Sequence, residues 1–257
     1  MGIDKWTGHL SAIADTSPVF VTGGKNISGD NWLLKYDLVA KKLLYKLNIT
    51  EVSQGKYAGF QDVEHDSRGN TYIVGSYFGT ILRVDKDGTA IKPWYLPSPL
   101  PATTTVEGFG GLAVVGDVLL TNDNASGEIL RFDMMADKGV PVVVPATPKY
   151  MYSPTDAIYL PPKYKGTVLL VAEDGKGINV LRSKDAKWTS AEYLGLVAND
   201  APEVAGFAAA APLQMGENLY IVEEFFADQA VPGMLAGNRS KWPLLDITDR
   251  VSKLLGE

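Results

Sequence analysis

The chain has no cysteine. That excludes disulfides and thiolate chemistry and leaves the compartment open. Histidine is almost missing too: His9 and His65 are the only two in 257 residues. No apolar run approaches the roughly 20 residues of a membrane-spanning helix, so no membrane span is expected. Met1 to Trp6 carries no apolar core, so no signal peptide is expected in this sequence. There is no basic stripe and the formal charge is −6, which argues against a nucleic-acid partner. A Gly-x-Ser-x-Gly elbow is absent, so a Ser-His-Asp hydrolase has no local support. Gly108-Phe109-Gly110-Gly111 falls in a strand-like run and opens no helix, so it does not read as a phosphate or dinucleotide loop.

What is present is a repeat. Trp32-Leu33-Leu34-Lys35-Tyr36-Asp37 returns as Thr80-Ile81-Leu82-Arg83-Val84-Asp85 and again as Glu128-Ile129-Leu130-Arg131-Phe132-Asp133, with a looser copy at Ile178-Asn179-Val180-Leu181-Arg182-Ser183. Ahead of the phrase stand β-forming runs at Val19-Phe20-Val21, Tyr72-Ile73-Val74, Val118-Leu119-Leu120, Val168-Leu169-Leu170-Val171 and Leu219-Tyr220-Ile221-Val222. In the second repeat, Phe60 to His65, the turn at 66–70, the run 71–75, the phrase and an outer run Ile91 to Tyr95 spell a four-stranded meander. A unit of this kind at a period near 50 predicts an all-β β-propeller of four-stranded antiparallel blades, with five repeats visible in one domain, 1–257. With 46% hydrophobic residues the chain has the core for it. Trp6 to Ile13 is expected as the innermost strand of the first blade, Trp242 to Ile247 as a late strand of the last, and Ile247 to Leu255 as the one amphipathic helix.

In such a fold the segments leading into the inner strands, and the loops after the second strands, share one face. Here these are Gly55 to Asp62, Val106 to Gly110, Tyr150 to Asp156 and Glu203 to Phe207, with Ser76 to Gly79, Asn122 to Ser126, Glu173 to Gly177 and Glu223 to Phe226. They hold aromatics (Tyr57, Phe60, Tyr77, Phe78, Phe109, Tyr150, Tyr152, Phe207, Phe225, Phe226) and acids (Asp62, Glu107, Asp156, Glu203, Glu223, Glu224). Aromatic walls with a few acids suit an apolar small molecule. The same aromatics would also serve as packing between blades, and the acids as a solvated rim. Glu107, Asn122 and Asp156, near Ser153-Pro154-Thr155, have the oxygen chemistry for Ca²⁺. His65, beside the Asp66 turn, reads as a structural hydrogen-bonder. Asn26, Asn48, Asn124 and Asn238 each head an N-glycosylation acceptor, which points to a secretory, vesicular or extracellular setting.

The wording of the blades resembles a fungal propeller family typified by the fourteenth gene product of the core trichothecene cluster. The hetero-Diels–Alderases of tropolone–sesquiterpenoid pathways look like relatives of it. The resemblance rests on Phe20-Val21-Thr22-Gly23-Gly24 with Asn31-Trp32, on the stretch from Gln54 to Asp66, on Ile81 to Asp85, and on Val231-Pro232-Gly233 with Ala236-Gly237-Asn238-Arg239-Ser240. It implies six blades and a cofactor-free cyclase of fungal terpenoid or meroterpenoid biosynthesis. Such an enzyme would capture a dehydrated, quinone-methide-like intermediate with an alkene, or close a ring as an allylic hydroxyl leaves. The expected acids are Asp62, Glu107 and Asp156. The expected substrate contacts are Tyr57, Phe60, Gln61, Phe109, Asn122, Tyr152, Phe207 and Phe225. No cofactor is expected, and the partner is an apolar small molecule acting on a monomer or weak homo-oligomer. A Ca²⁺-dependent lactonase and a non-catalytic binding propeller are the alternatives.

Overall fold

The computed structural model describes every residue except 17, 153, 226, 227, 229, 230 and 233–237. Its strands form five small sheets, the blades of a β-propeller, as the repeat predicts. They fall in two compact units, three sheets in Met1–Val143 and two in Val144–Glu257.

In the first unit, β1 (Gly2–Ile3), β2 (Leu10–Ala14), β3 (Trp32–Asp37) and β4 (Lys42–Asn48) make the first sheet. β5 (Ala58–His65), β6 (Thr71–Tyr77), β7 (Thr80–Val84) and β8 (Ile91–Tyr95) make the second, and β9 (Phe109–Val115), β10 (Val118–Asp123), β11 (Glu128–Asp133) and β12 (Val142–Val143) the third. The second unit holds β13 (Ala146–Thr147), β14 (Thr155–Tyr159), β15 (Val168–Glu173), β16 (Gly177–Arg182) and β17 (Ala191–Ala198), where β13 pairs in parallel with β17. Its last sheet is β18 (Ala208–Met215), β19 (Asn218–Glu224) and β20 (Leu244–Asp246), followed by a helix over Thr248–Leu255. The repeated phrase is thus β3, β7, β11 and β16.

Two expectations need correction. Val19-Phe20-Val21 is not a strand but part of a one-turn helix, Pro18–Val21. Pro18 opens it with a φ already suited to a helix, the Thr22 hydroxyl donates to the Pro18 carbonyl at 2.6 Å, and Gly23 and Gly24 end it at positive φ. Trp6 is not in a strand either. The Asp4 carboxylate accepts the N–H groups of Trp6 and Thr7, turns the chain there, and delays β2 to Leu10.

The packing is aromatic in the first unit. Tyr72, Trp94, Phe109 and Phe132 join Leu112, Leu119 and Met134 in one cluster spanning the second and third sheets. Phe60, Tyr57, Val63, Ile73 and Leu82 meet Leu33 of the first sheet in another. In the second unit Leu170, Ile178, Val180, Leu219 and Ile221 take Ile247 and Val251, so the apolar face of the terminal helix closes that core.

Inner strands are interrupted at one equivalent place. The β5–β6 register slips between Phe60 and Asp62, and the β9–β10 register between Thr121 and Asp123. In the second unit the same occurs between Thr155 and Ile158 and between Ala209 and Ala211. Bulges of this kind free a residue from the ladder and re-aim its side chain.

Candidate functional site

In the first unit the bulges expose backbone N–H groups that no strand partner satisfies, and short polar side chains take them. Asp15 accepts the Phe60 N–H at 2.8 Å, Asp62 accepts those of Val63 and Leu112 at 2.8 Å each, and Asn122 accepts that of Gly111 at 2.8 Å. Gln61 donates its amide to the Gly110 carbonyl. Asp62 and Gln61 thereby tie β5 to β9 of the neighbouring sheet, while Asn122 ties β10 to β9 within its own sheet.

Glu64 follows Asp62 on the same face of β5, because both stay in register with β6 opposite Tyr72 and Val74. Burial raises the Asp62 carboxyl above its ordinary range, against the pull of its two N–H donors. Burial and the neighbouring Asp62 charge push Glu64 up to about 8. Burial likewise takes Asp15 to about 6, and its second oxygen has no hydrogen-bond partner among the described residues. Asp62 and Glu64 keep solvent-accessible surface even though protein surrounds them densely.

The other sequence-predicted residues of this unit sit differently. Phe60 and Phe109 are 0% and 3% exposed, and Tyr57 is 3%. All three are core packing rather than open walls, Phe109 stacking on Tyr95 at 5.6 Å and Tyr57 edge-on to Phe60 at 6.3 Å. Glu107 is exposed and accepts the Asn124 amide at 3.4 Å. Asn122 is sealed, its carboxamide oxygen committed to Gly111. Among the described residues no three His, Cys, Asp or Glu side chains group as a metal site.

In the second unit Asp156 lies on β14 at the bulge and is half-buried. Tyr152 is buried with its hydroxyl unpartnered among the described residues, and burial raises its pKa. Beside it, Tyr150 donates to the enclosed Glu173 at 2.8 Å and stacks on Tyr193 at 4.5 Å. Lys176 and Asn179 also donate to Glu173. Phe207 and Phe225 are half-exposed with ring centroids 4.5 Å apart, and the Arg239 guanidinium, paired with Asp228, covers both at 4.8 and 3.9 Å. Ser153 and Phe226 lie outside the described residues. Of the four acceptor asparagines, Asn26 and Asn238 are exposed and Asn48 and Asn124 half-buried.

Sequence reasoning missed Asp15 and Glu64 as site residues. Glu64 had a signal, since a strand places every second side chain on one face and Asp62 was already singled out. Asp15 had none, because its role depends on a backbone N–H 45 residues away.

His65 is structural, as its position suggests. Its Nε2 lies 2.8 Å from the Ser11 hydroxyl, both residues are buried, and burial lowers its pKa from 6.5 to about 4. The unfolded chain takes up this proton below about pH 6.5 while the folded chain refuses it until about pH 4. The stability His65 contributes is thus whole above 6.5 and lost as pH falls toward 4. The stability difference between wild type and His65→Gln in urea titrations is expected to shrink across that window by up to about 3 kcal/mol. A pH-independent difference would rule out the neutral buried histidine.

No protein-family model matches the chain. Over 252 residues it is 35% identical to trichothecene biosynthesis protein 14 of Trichoderma arundinaceum, covering 96% of this chain and 68% of that protein. It is 30% identical to core trichothecene cluster protein 14 of Fusarium sporotrichioides, covering 96% of this chain and 65% of that protein. The chain thus spans about two thirds of the length of these relatives. Among solved structures, the major allergen Mala s 1 of Malassezia sympodialis superposes with a TM-score of 0.75 at 21% identity, over 93% of this chain and 73% of that one. That likeness concerns the fold alone.

Proposed function

We propose a function from the premise that this chain belongs to the trichothecene biosynthesis protein 14 family, and therefore serves fungal secondary-metabolite biosynthesis. The finer reading is a cofactor-free cyclase acting on an apolar terpenoid or meroterpenoid. One observation carries it: carboxyls at Asp15, Asp62 and Glu64 are all shifted toward the protonated form along one inner strand and the loop bonded to it. A carboxyl that keeps its proton near neutral pH can hand it to a leaving hydroxyl. Dense surroundings keep bulk water from quenching the electron-poor centre that results. The ring then closes on an internal hydroxyl, or on an alkene if the product of dehydration is a quinone-methide-like diene. Both routes ask the protein for an acid, positioning and dryness, and neither asks it for an electron carrier.

The test is direct. The purified protein is incubated at pH 7 with two probes: a sesquiterpenoid allylic alcohol bearing a second hydroxyl, and a benzylic-alcohol quinone-methide precursor with humulene. Products are followed by chiral chromatography and mass spectrometry. The expected result is a cyclised product lighter by one water in the first case, or an adduct formed with loss of water in the second, in a single enantiomer and unchanged by a chelator. Racemic or background-level product with both probes would sink the reading. Calcium-dependent opening of a lactone, lost with chelator, would replace it with the hydrolase.

A further inference from the structure

We propose that the end of the first sheet, where the β1–β2 and β3–β4 turns lie side by side, is a membrane-docking tip that seats in the interface of a bilayer containing anionic lipid. The proposal stands apart from the cyclase reading. It concerns a different place on the unit Met1–Val143 and is tested without turnover.

The tip is apolar where nothing in the fold asks it to be. Residues 38–44, Leu38-Val39-Ala40-Lys41-Lys42-Leu43-Leu44, are exposed without a break. Val39 is 94% exposed, and Leu38, Leu43 and Leu44 are 47%, 44% and 41% exposed. β4 is the outer strand of its sheet, and its register with β3 slips at Tyr36, leaving Leu44 as the extra residue of a bulge. The adjoining turn adds Trp6, 42% exposed, with the Lys5 ammonium 4.5 Å from its ring centroid. The two turns are neighbours because Leu10 pairs with Tyr36 at the strand ends, and the His9 Nε2 lies 3.8 Å from the Asp37 carboxylate.

The equivalent turn of the second sheet shows what this position needs. Both turns are closed by the aspartate that ends the repeated phrase. Asp37 accepts the Val39 and Ala40 N–H groups at 2.9 and 2.8 Å, and Asp85 accepts the Thr89 N–H at 2.7 Å. Between Asp85 and Thr89 stand Lys86, Asp87 and Gly88, and Lys86 pairs with Asp87 at 3.0 Å. Polar residues thus make the same closure, so the turn does not call for Leu38 and Val39. Single exposed apolar side chains are ordinary, but a continuous run beside an exposed tryptophan marks an interaction surface.

Charge selects the occupant. Lys5, Lys41 and Lys42 are all exposed. The acids of the same turns are already engaged: Asp4 is buried against Lys35 at 3.2 Å, and Asp37 holds its two backbone N–H groups beside His9. The tip is therefore locally basic in a chain of formal charge −6. An anionic surface attracts this end of the molecule and repels the rest. A protein partner would have to supply a groove for a side chain that projects as Val39 does. A bilayer supplies the whole set: apolar side chains enter the acyl boundary, the indole rests at headgroup depth, and the lysines reach anionic headgroups.

The experiment is co-sedimentation of the purified protein with phosphatidylcholine vesicles, with and without phosphatidylserine, at low and high salt. The expected result is binding to the phosphatidylserine vesicles that weakens with salt, with a blue shift of tryptophan emission that is absent in Trp6→Phe. A lysine near such a surface is worth about fivefold in partitioning, so Lys41→Gln combined with Lys42→Gln is expected to lower it about 25-fold. Leu38→Ser combined with Val39→Ser is expected to lower it at least roughly tenfold, at an unchanged melting temperature because both side chains are exposed. Lys86→Gln, in the polar turn of the second sheet, is expected to leave it unchanged. Absence of wild-type binding overturns the proposal, as does equal binding to both kinds of vesicle. A loss in Lys86→Gln as large as that of the Lys41 and Lys42 pair overturns it too, since binding would then follow overall charge rather than the tip. A wild-type dimer in sedimentation velocity that the Leu38 and Val39 pair converts to monomer, with no vesicle binding, makes the tip a contact between copies of the chain and overturns the membrane assignment.

Discussion

Lys35→Met is expected to destabilise the protein by about 3–5 kcal/mol. Lys35 on β3 and Asp4 in the β1–β2 turn are 3% and 0% exposed, and their charges meet at 3.2 Å. Burial alone would raise the Asp4 pKa, yet bonds from Thr7, the Trp6 N–H and Lys35 bring it below the ordinary value. The carboxylate is therefore ionised in a place that tolerates charge only because it is compensated. Methionine keeps the aliphatic stem and removes the ammonium, leaving Asp4 buried with two backbone donors. The same argument predicts a rescue. Pairing Lys35→Met with Asp4→Asn removes the orphaned charge, and the double variant is expected to recover at least about 2 kcal/mol of the loss, since neutral replacements of a buried ion pair are often near wild type. Urea unfolding at pH 7 of wild type, both single variants and the double closes the cycle. A single variant within 1 kcal/mol of wild type, on the order of experimental error for the extrapolation, would show that Asp4 reaches solvent.

Trp94→Ala should cost about as much, on the order of 3–5 kcal/mol. Trp94 is 1% exposed, edge-on to Tyr72 at 4.9 Å and tilted on Phe132 at 5.6 Å. Its indole N–H donates to the Ala136 carbonyl at 3.0 Å. Gly139 passes so close that a Cβ there would lie 2.8 Å from the ring, so the backbone is fitted to this side chain. Truncation leaves a cavity that strands on both sides cannot follow inward, and it removes one of the two donors to the Ala136 carbonyl, leaving that of Arg83. Trp242 is the control. It is 54% exposed, and its ring meets Phe225 at 5.2 Å. Trp242→Ala is expected to cost less than about 1 kcal/mol. Equal losses at the two tryptophans in calorimetry would refute this account of the core.

The repeat made most of the fold legible. The phrase around Leu34, Leu82, Leu130 and Leu181 falls on β3, β7, β11 and β16. Alternation and turn residues are local, and a meander is built from local steps, so a reader of the chain recovers it. The failures are local competitions that context settled. Val19-Phe20-Val21 has β-forming side chains, but Pro18 before it and two glycines after it make a single helical turn cheaper than a strand with no partner.

The site was legible in part, and for a definite reason. Asp62, Gln61 and Asn122 draw notice in the sequence because polar residues stand out against apolar runs. Their roles were not readable. Which backbone N–H a carboxylate meets depends on the fold, and the Leu112 N–H that Asp62 accepts lies 50 residues on. Phe60 and Phe109 read as walls from their positions. Burial in inter-blade clusters makes them core instead.

By itself, then, the sequence determined the blade: strand order, turn positions, the repeated phrase and the apolar content that makes each sheet two-faced. These follow from interactions among residues a few positions apart, which a linear text records. Tertiary structure alone decided the surroundings of the buried acids. It tied Asp62 to the Leu112 N–H of a distant strand, and gave Asp4 the ammonium that lets it stay charged. Proton affinity is set by burial and by charges and N–H groups brought in from distant segments, and those distances exist only in the folded chain.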